Sequence, residues 1–248
     1  MKIKIQTSNE LNTLLDALAR EIVDAQIYHR LFCDLINSIS EYEYEFQQSN
    51  TFWHLTFDSL KDARLTRLCR VFDQESNSLN LVNLLETIKA NLHLFESHHF
   101  SERLRDNAFV DSLAESNRMP DEHQLDEDIK FASLANPVVK KLMVWRNNIV
   151  AHRGAKFSLG KKQVFKDSSI SQPELEGLLN QSFEILNRYS NLYRASTWSR
   201  QIIGHDDYQS LLRFLRLGLQ KFAEDIEKER AGIRERGQLG LETNGTPK

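Results

Sequence analysis

The chain has 248 residues and carries 32 Lys and Arg against 35 Asp and Glu, a formal net charge of −3, with 40% hydrophobic and 27% charged residues. That is globular composition, sufficient for one large domain or two small ones, and a mean hydropathy of −0.49 with no apolar run near the ~18 residues of a bilayer span excludes a transmembrane helix. Nine glycines and four prolines are too few for a sandwich, barrel or Rossmann fold, and no glycine-rich phosphate loop occurs, so the expectation is an all-α chain without a P-loop or dinucleotide site.

The N-terminal stretch MKIKIQTSNELNTLL lacks the apolar core and small-residue cleavage site of a secretory signal, and a cytoplasmic location is expected. Thr7-x-x-Glu10 has the form of a capping box and opens a helix to about Ile39, whose apolar positions include Leu11, Leu14, Leu15, Leu18, Ile22 and Ile27. A second helix is predicted over roughly 44–73. Ser76 or Ser78 is expected to cap a third, with Leu81, Leu84, Leu85, Ile88, Leu92 and Phe95 facing inward. Residues 97–135 are more polar and predict shorter helices with a loop near 117–122. Asn136-Pro137 reads as an N-cap followed by proline at the first helical position, and that helix runs to His152 or Arg153 before Gly154. Residues 155–170 predict a loop with a short hairpin. Ser171-Gln172-Pro173-Glu174 starts another helix, and Gly204 marks the break before a last one ending near Arg230. The expected organisation is a helical domain over 1–203, a C-terminal helix over 204–230 packed on it, and a mobile tail over 231–248. Cys33 and Cys69 have no CxxC spacing and read as buried reduced thiols.

Charge is unevenly distributed. From Pro137 to Lys166 there are eight basic residues and no acidic one, leaving −11 for the remainder of the chain. Two readings stand: a solvated basic face that pairs with acids elsewhere, and a phosphate-binding footprint formed by Lys140, Lys141, Arg153, Lys156, Lys161 and Lys162. On an ideal helix beginning at Val138, Arg146 falls near about 80° and Arg153 near about 60°, in the middle of the apolar arc, while His152 lies at its edge near about 320°. A guanidinium among apolar side chains requires either a carboxylate from another helix or an anionic ligand.

The stretch WRNNIVAHR resembles the Arg-x(4–6)-His signature of the HEPN superfamily, and SLKDARLTRLCRVFD followed by a Ser/Leu-rich helix is similar to its abortive-infection, AbiU-like branch over residues 10–200. The resemblance implies a helical bundle and a metal-independent ribonuclease acting in phage defence or as a toxin. Arg146 and His152 match the two functional positions, and Asn147 matches the polar residue after the arginine. It implies further that RNA is cleaved by 2′-hydroxyl attack without metal or cofactor, leaving a 2′,3′-cyclic phosphate and a 5′-hydroxyl. His152 suits proton transfer near neutral pH, Arg146 suits bidentate binding of phosphate oxygens, and Asn147 can orient either group. Arg146 and His152 project about 120° apart on an ideal helix, so a composite site across a homodimer cleft is expected, and the toxin reading leaves room for an antitoxin. Spacing alone selects nothing, because Arg118–His123 and Arg200–His205 share it; only Arg146–His152 lies in an uninterrupted helical pattern with basic surroundings. Some members carry a tyrosine two residues after the histidine, where this chain has Gly154, so neutralisation through that tyrosine is unsupported. The alternative function is a non-catalytic RNA-binding or protein-interaction module using the basic face 137–166. His93, Glu96, His98 and His99 read as solvent-exposed rather than metal-binding. Arg64, Arg67 and Arg70 read as an intrahelical ion-pair face with Asp62 and Asp73, and Trp53, Trp145 and Trp198 as core anchors.

Overall fold

The computed structural model describes residues 3–150, 154–160 and 163–242, with the side chains of Phe165 and of 235–242 outside that description. Every regular element among the described residues is helical: α1 (Ser8–Ser38), α2 (Glu43–Gln47), α3 (Asn50–Val71), α4 (Leu81–Lys89), a 3₁₀ turn (Leu92–Phe95), α5 (Ser97–Arg103), α6 (Val110–Ala114), α7 (Glu122–Ala132), α8 (Pro137–Trp145), a π-turn (Arg146–Val150), α9 (Ala155–Ser158), α10 (Val164–Asp167), α11 (Gln172–Arg194) and α12 (Asp207–Glu242). The chain is all-α, as its scarcity of glycine and proline requires. It divides into two units, one of Met1–Arg30 with Asp58–Ile202 and the other of Leu31–Phe57 with Ile203–Lys248. This division groups residues 31–57 with the last helix, whereas the sequence suggested one body over 1–203.

Local chemistry explains where α1, α4, α8 and α11 begin. Thr7 Oγ1 accepts from Glu10 N at 3.2 Å while Glu10 Oε2 accepts from Thr7 N at 3.1 Å, closing the expected capping box. Asn136 Oδ1 accepts from Val138 N at 2.9 Å ahead of Pro137. Ser171 and Glu174 form the third predicted cap, reciprocally. The cap of α4 is Asn80, whose Oδ1 accepts from Asn83 N at 2.8 Å, and not Ser76 or Ser78. Residues 76–79 form the preceding turn instead, pinned by Asn83 Nδ2, which donates to the carbonyls of Glu75 and Ser78 at 2.9 and 2.8 Å.

Several elements differ from the sequence expectation, among them the helix expected over 44–73, which is divided into α2 and α3. The hairpin expected over 155–170 is replaced by the short helices α9 and α10, with no strand among the described residues. Helix α11 stops at Arg194, ten residues before Gly204, because Ala195 adopts the left-handed conformation (φ 53°) and its N–H returns to Asn191 O at 2.9 Å. Helix α12 continues past Arg230 to Glu242.

The core of the first unit is built by apolar stripes at helical spacing. Leu11, Leu15, Leu18 and Ile22 from α1 meet Leu65, Leu68 and the adjoining Phe72 from the α3 end, Leu84, Leu85 and Ile88 from α4, and Leu178, Phe183 and Leu186 from α11. Each such side chain contributes roughly 1.5–3 kcal/mol on burial. Val139, Leu142 and Met143 insert the buried face of α8 into this cluster. One buried polar network crosses it: Asp128 of α7 accepts from Arg188 and, at 2.8 Å, from Tyr189 Oη on α11. Burial and the Asp128 charge both push the Tyr189 phenol upward, so it stays a donor.

In the second unit, Arg216 of α12 donates through Nε to Glu45 Oε1 at 2.5 Å and through Nη2 to Glu41 O at 2.6 Å, and its guanidinium lies 4.2 Å from the centre of the Tyr42 ring. The hydrogen bond from Arg216 holds the Glu45 carboxyl below its ordinary range. Phe46 and Trp53 pack edge to face at 4.7 Å, so Trp53 is a core anchor there.

Candidate functional site

Arg146 stands where α8 gives way to the π-turn, immediately after Trp145. The apolar arc expected from an ideal helix holds as far as Met143. From Arg146 onward the turn is wider, with i→i+5 closure, so the 100° projection no longer applies. Two side chains fix this junction. Trp145 Nε1 donates to Ser168 O at 2.7 Å, and Asn148 Nδ2 donates to Val144 O at 2.7 Å, occupying a carbonyl near the change of helix type. Asn148 O accepts from Gly154 N at 3.0 Å, and a Cβ at position 154 would stand 3.0 Å from Asn148 Oδ1, so a larger residue there must displace that side chain.

The carboxylate that Arg146 requires comes from 73 residues upstream. Arg146 Nη2 donates to Asp73 Oδ2 at 3.2 Å, and Nη1 donates to Asn147 Oδ1 at 3.1 Å. Asp73 is held on every side. Its Oδ1 accepts from the backbone N–H groups of Gln74 (2.7 Å) and Glu75 (3.3 Å), and its Oδ2 also accepts from Ser78 Oγ at 3.3 Å. Gln74 Nε2 donates to Phe72 O at 2.7 Å and Ala132 O at 3.2 Å, tying this turn to the end of α7. Position 73 is therefore built by the α3 end, the Asn83-pinned turn and α7 together. Asp73 is 13% exposed and Arg146 27%, so the guanidinium is anchored on one side and open to solvent on another. Cys69 lies buried in the same neighbourhood, and burial pushes its thiol up to about 12. Cys33, the other thiol, is half-buried rather than buried.

The remaining candidates divide into three groups. Lys140 and Lys156 are exposed, as is Asn147. Lys141 is committed to Glu174 at 2.8 Å, and this bond, with those from Ser171, lowers the Glu174 carboxyl to about 2. His152, Arg153, Lys161 and Lys162 lie outside the described residues. Among the described residues of the acid-free window, Arg146 and Lys141 find carboxylates outside it, Asp73 and Glu174. No signal of local spacing could have named either partner.

In the competing Arg–His pairs, Arg118, Arg200 and His205 are used structurally. Arg118 is buried, donating to Leu113 O and Asn191 O with its guanidinium 4.7 Å from the Phe100 ring. Arg200 pairs with Glu184 at 2.8 Å, and His205 with Asp34 at 3.3 Å. Two arginines of α3 pair with α1 rather than within their own helix: Arg67 reaches Glu21 and Asp24 at 2.9 and 3.1 Å, and Arg70 reaches Glu21 at 3.5 Å. His98, His99 and Glu102 bring one donor atom each within 4.8 Å of one another, with His98 and Glu102 exposed and His99 half-buried.

Two cavities touch these elements. One of about 310 Å³ is lined by Glu21, Arg70, Asp73 and Ser78, and one of about 440 Å³ by Trp145, Ile149 and Val150 with Arg64 and Gln172 among its polar walls. The first places a mixed-charge recess beside the Asp73 carboxylate.

The HEPN_AbiU2 family model, described as AbiU2, matches residues 8–216, reaching past the 10–200 span of the sequence resemblance into the first part of α12. No curated protein and no solved structure matches the chain. Among the described residues no helix is long and apolar enough to cross a membrane.

Proposed function

The chain belongs to the HEPN AbiU2 family, and from that premise we propose that it is a metal-independent endoribonuclease used in phage defence or as a toxin. The observation that carries this reading is the anchoring of Arg146: a guanidinium at a helix-to-π-turn junction, held from one side by Asp73 and Asn147 with part of its surface open. π-turns recur at functional sites, and a guanidinium whose position is already set stabilises developing phosphate charge without reorganising.

In this reading His152 removes the proton from an RNA 2′-hydroxyl, and the oxygen attacks the adjacent phosphorus. Arg146 binds the non-bridging oxygens as charge accumulates. The P–O5′ bond breaks, the 5′-oxygen takes a proton, and a 2′,3′-cyclic phosphate remains. Asn147 orients the guanidinium. Lys140 and Lys156, with Arg153, Lys161 and Lys162, hold the RNA backbone, and Lys141 contributes mainly through Glu174. Two copies of the chain supply a composite site, in which a second Arg146–His152 pair faces the first. The expected compartment is the cytoplasm, and a neutralising antitoxin is consistent with the toxin reading.

RNA cleavage in EDTA tests this. Arg146→Ala and His152→Ala are each expected to reduce cleavage by about 10²–10⁴-fold while the far-UV spectrum stays unchanged. Undiminished cleavage in both variants overturns the reading. A second reading, a non-catalytic RNA-binding or protein-interaction module, is favoured by the structural use of Arg146 and Lys141 in ion pairs. Salt-sensitive RNA binding without cleavage by the wild type selects it.

A further inference from the structure

Residues 93–102 bring three histidines and Glu102 to one corner of the first unit. His93 lies in the 3₁₀ turn, and His98, His99 and Glu102 lie in α5. Neighbouring histidines on a helix project about 100° apart, a spacing that by itself argues against a shared ion. Glu102 changes that. With His98 at about 0° and His99 at about 100°, Glu102 falls near about 40°, between the two, because it stands at i+4 from one and i+3 from the other. The folded geometry agrees. One donor atom from each of the three lies within 4.8 Å of the others, and the rings of His98 and His99 are 4.2 Å apart between centres. The His93 ring, 6.0 Å from that of His99, walls the corner on the side of the turn.

Backbone and side chains are controlled separately here. Leu94, Phe95 and Phe100 are buried and fix both elements from below. Arg103, next to Glu102, fixes the end of α5 by donating to Tyr193 O at 2.7 Å, Leu94 O at 3.2 Å and Ser8 Oγ at 3.0 Å. The side chains of His98, His99 and Glu102 have no hydrogen-bond or ion-pair partner among the described residues. His205, by comparison, is committed to Asp34 at 3.3 Å. The donors at this corner are thus held close together on a fixed backbone and left without structural employment.

The donor set selects the ion. Imidazole suits zinc, copper and nickel, whereas magnesium and calcium take oxygen ligands. With bonds of about 2.0–2.1 Å, donors around a tetrahedral zinc ion stand about 3.3 Å apart. Closing from 4.8 Å takes about 1.5 Å, which rotation about side-chain torsions supplies. His98 and Glu102 are exposed and His99 is half-buried, so that rotation is open to them. A cavity of about 540 Å³, lined in part by His99 and Glu102, gives the ion an entry path. Two guanidiniums line the same cavity, but Arg194 is paired with Asp16 at 2.7 Å and Arg103 is turned to carbonyl oxygens.

We propose that His98, His99 and Glu102 form a binding site for a divalent transition-metal ion of the zinc type, with water in the fourth position. Bound there, the ion ties the first turn of α5 to its last and stabilises the fold. It takes no part in the proposed cleavage and shares no residue with the Arg146 site. The inference therefore goes beyond the nuclease reading and stands apart from it.

Calorimetric titration of the full chain with zinc chloride, after stripping with EDTA and dialysis, tests it. Zinc is expected to bind with a Kd below about 100 µM and, at a hundredfold excess over Kd, to raise the melting temperature by about 5 °C. Magnesium and calcium are expected to do neither. His98→Ala, His99→Ala and Glu102→Gln should each weaken zinc binding at least about tenfold at unchanged helix content. Glu102→Gln alters an exposed side chain without changing its shape, and it decides the matter should a histidine variant misfold. His123→Ala, on α7, and Cys33→Ser should leave the affinity unchanged. Weaker zinc binding by the wild type overturns the proposal, as does binding untouched by all three substitutions or matched by magnesium. Binding lost only in Cys33→Ser or His123→Ala overturns it and assigns the ion elsewhere. RNA cleavage by Glu102→Gln in EDTA is expected to equal that of the wild type. A wild type that cleaves RNA but takes no zinc thus refutes this site alone, and one that takes zinc but cleaves nothing refutes the nuclease reading alone.

Discussion

Arg146 shows how far a single residue can be read from sequence. Its place in the apolar arc demanded an anion, and that followed from helical periodicity. The identity of the anion did not, because Asp73 is 73 residues away and is positioned by bonds from Gln74, Glu75 and Ser78. Asp73 is expected to act as a positioning residue for the proposed cleavage. Asp73→Asn keeps an oxygen near Arg146 Nη2 but removes the charge, and should lower kcat about tenfold with KM nearly unchanged. Asp73→Ala should cost more. Steady-state kinetics on a short RNA checks the split, and a rise confined to KM in both variants would assign Asp73 to RNA binding instead. In the proposed cleavage His152 supplies the proton transfer, a role taken from the Arg–His motif.

At the scale of elements, the legible features were those encoded within four residues. The caps at Thr7–Glu10, Asn136–Pro137 and Ser171–Glu174 were predicted from side-chain type and spacing, and each is made by the predicted atoms. Features set by competition between neighbouring turns were not legible. Asn80 displaces Ser76 and Ser78 as a cap because Asn83 already draws those residues into the turn. The change from α8 to a π-turn likewise has no signature in RNNIV. Ser171→Ala should cost about 1 kcal/mol in denaturant unfolding by removing the cap of α11. A pH dependence accompanies it. Glu174 is lowered to about 2, first by Lys141 and then by Ser171. Its contribution is therefore complete above the ordinary carboxylate value of about 4.3 and lost as pH falls toward 2. Glu174→Gln should flatten that part of the stability profile, and an unchanged slope would exclude Glu174 as its source.

For the whole molecule, a net charge of −3 conceals a window of +8, but the folded chain does not present that window intact. Lys141 and Arg146 are drawn to Glu174 and Asp73, while Lys140 and Lys156 remain exposed. The two classes should separate in a salt titration of RNA binding. Lys140→Ala and Lys156→Ala should each reduce the slope of log affinity against log salt by about 0.7, the value for one lost phosphate contact on a single strand. Lys141→Ala should leave the slope unchanged and lower the unfolding midpoint instead. The π-turn bears on how the chain tolerates changes in length. An i→i+5 turn holds one residue more than the α-turn it replaces, so a deletion within Arg146–Val150 can be absorbed by reversion to α-helix. The buried register of Val139, Leu142 and Met143 then survives. An insertion between Pro137 and Trp145 has no such outlet and rotates those side chains by about 100°. Deleting Asn147 is thus expected to leave the melting temperature within a few degrees, while an alanine inserted after Lys140 should unfold the first unit. The variable spacing that the Arg–His signature admits is, on this account, slack that the backbone stores at Arg146–Val150.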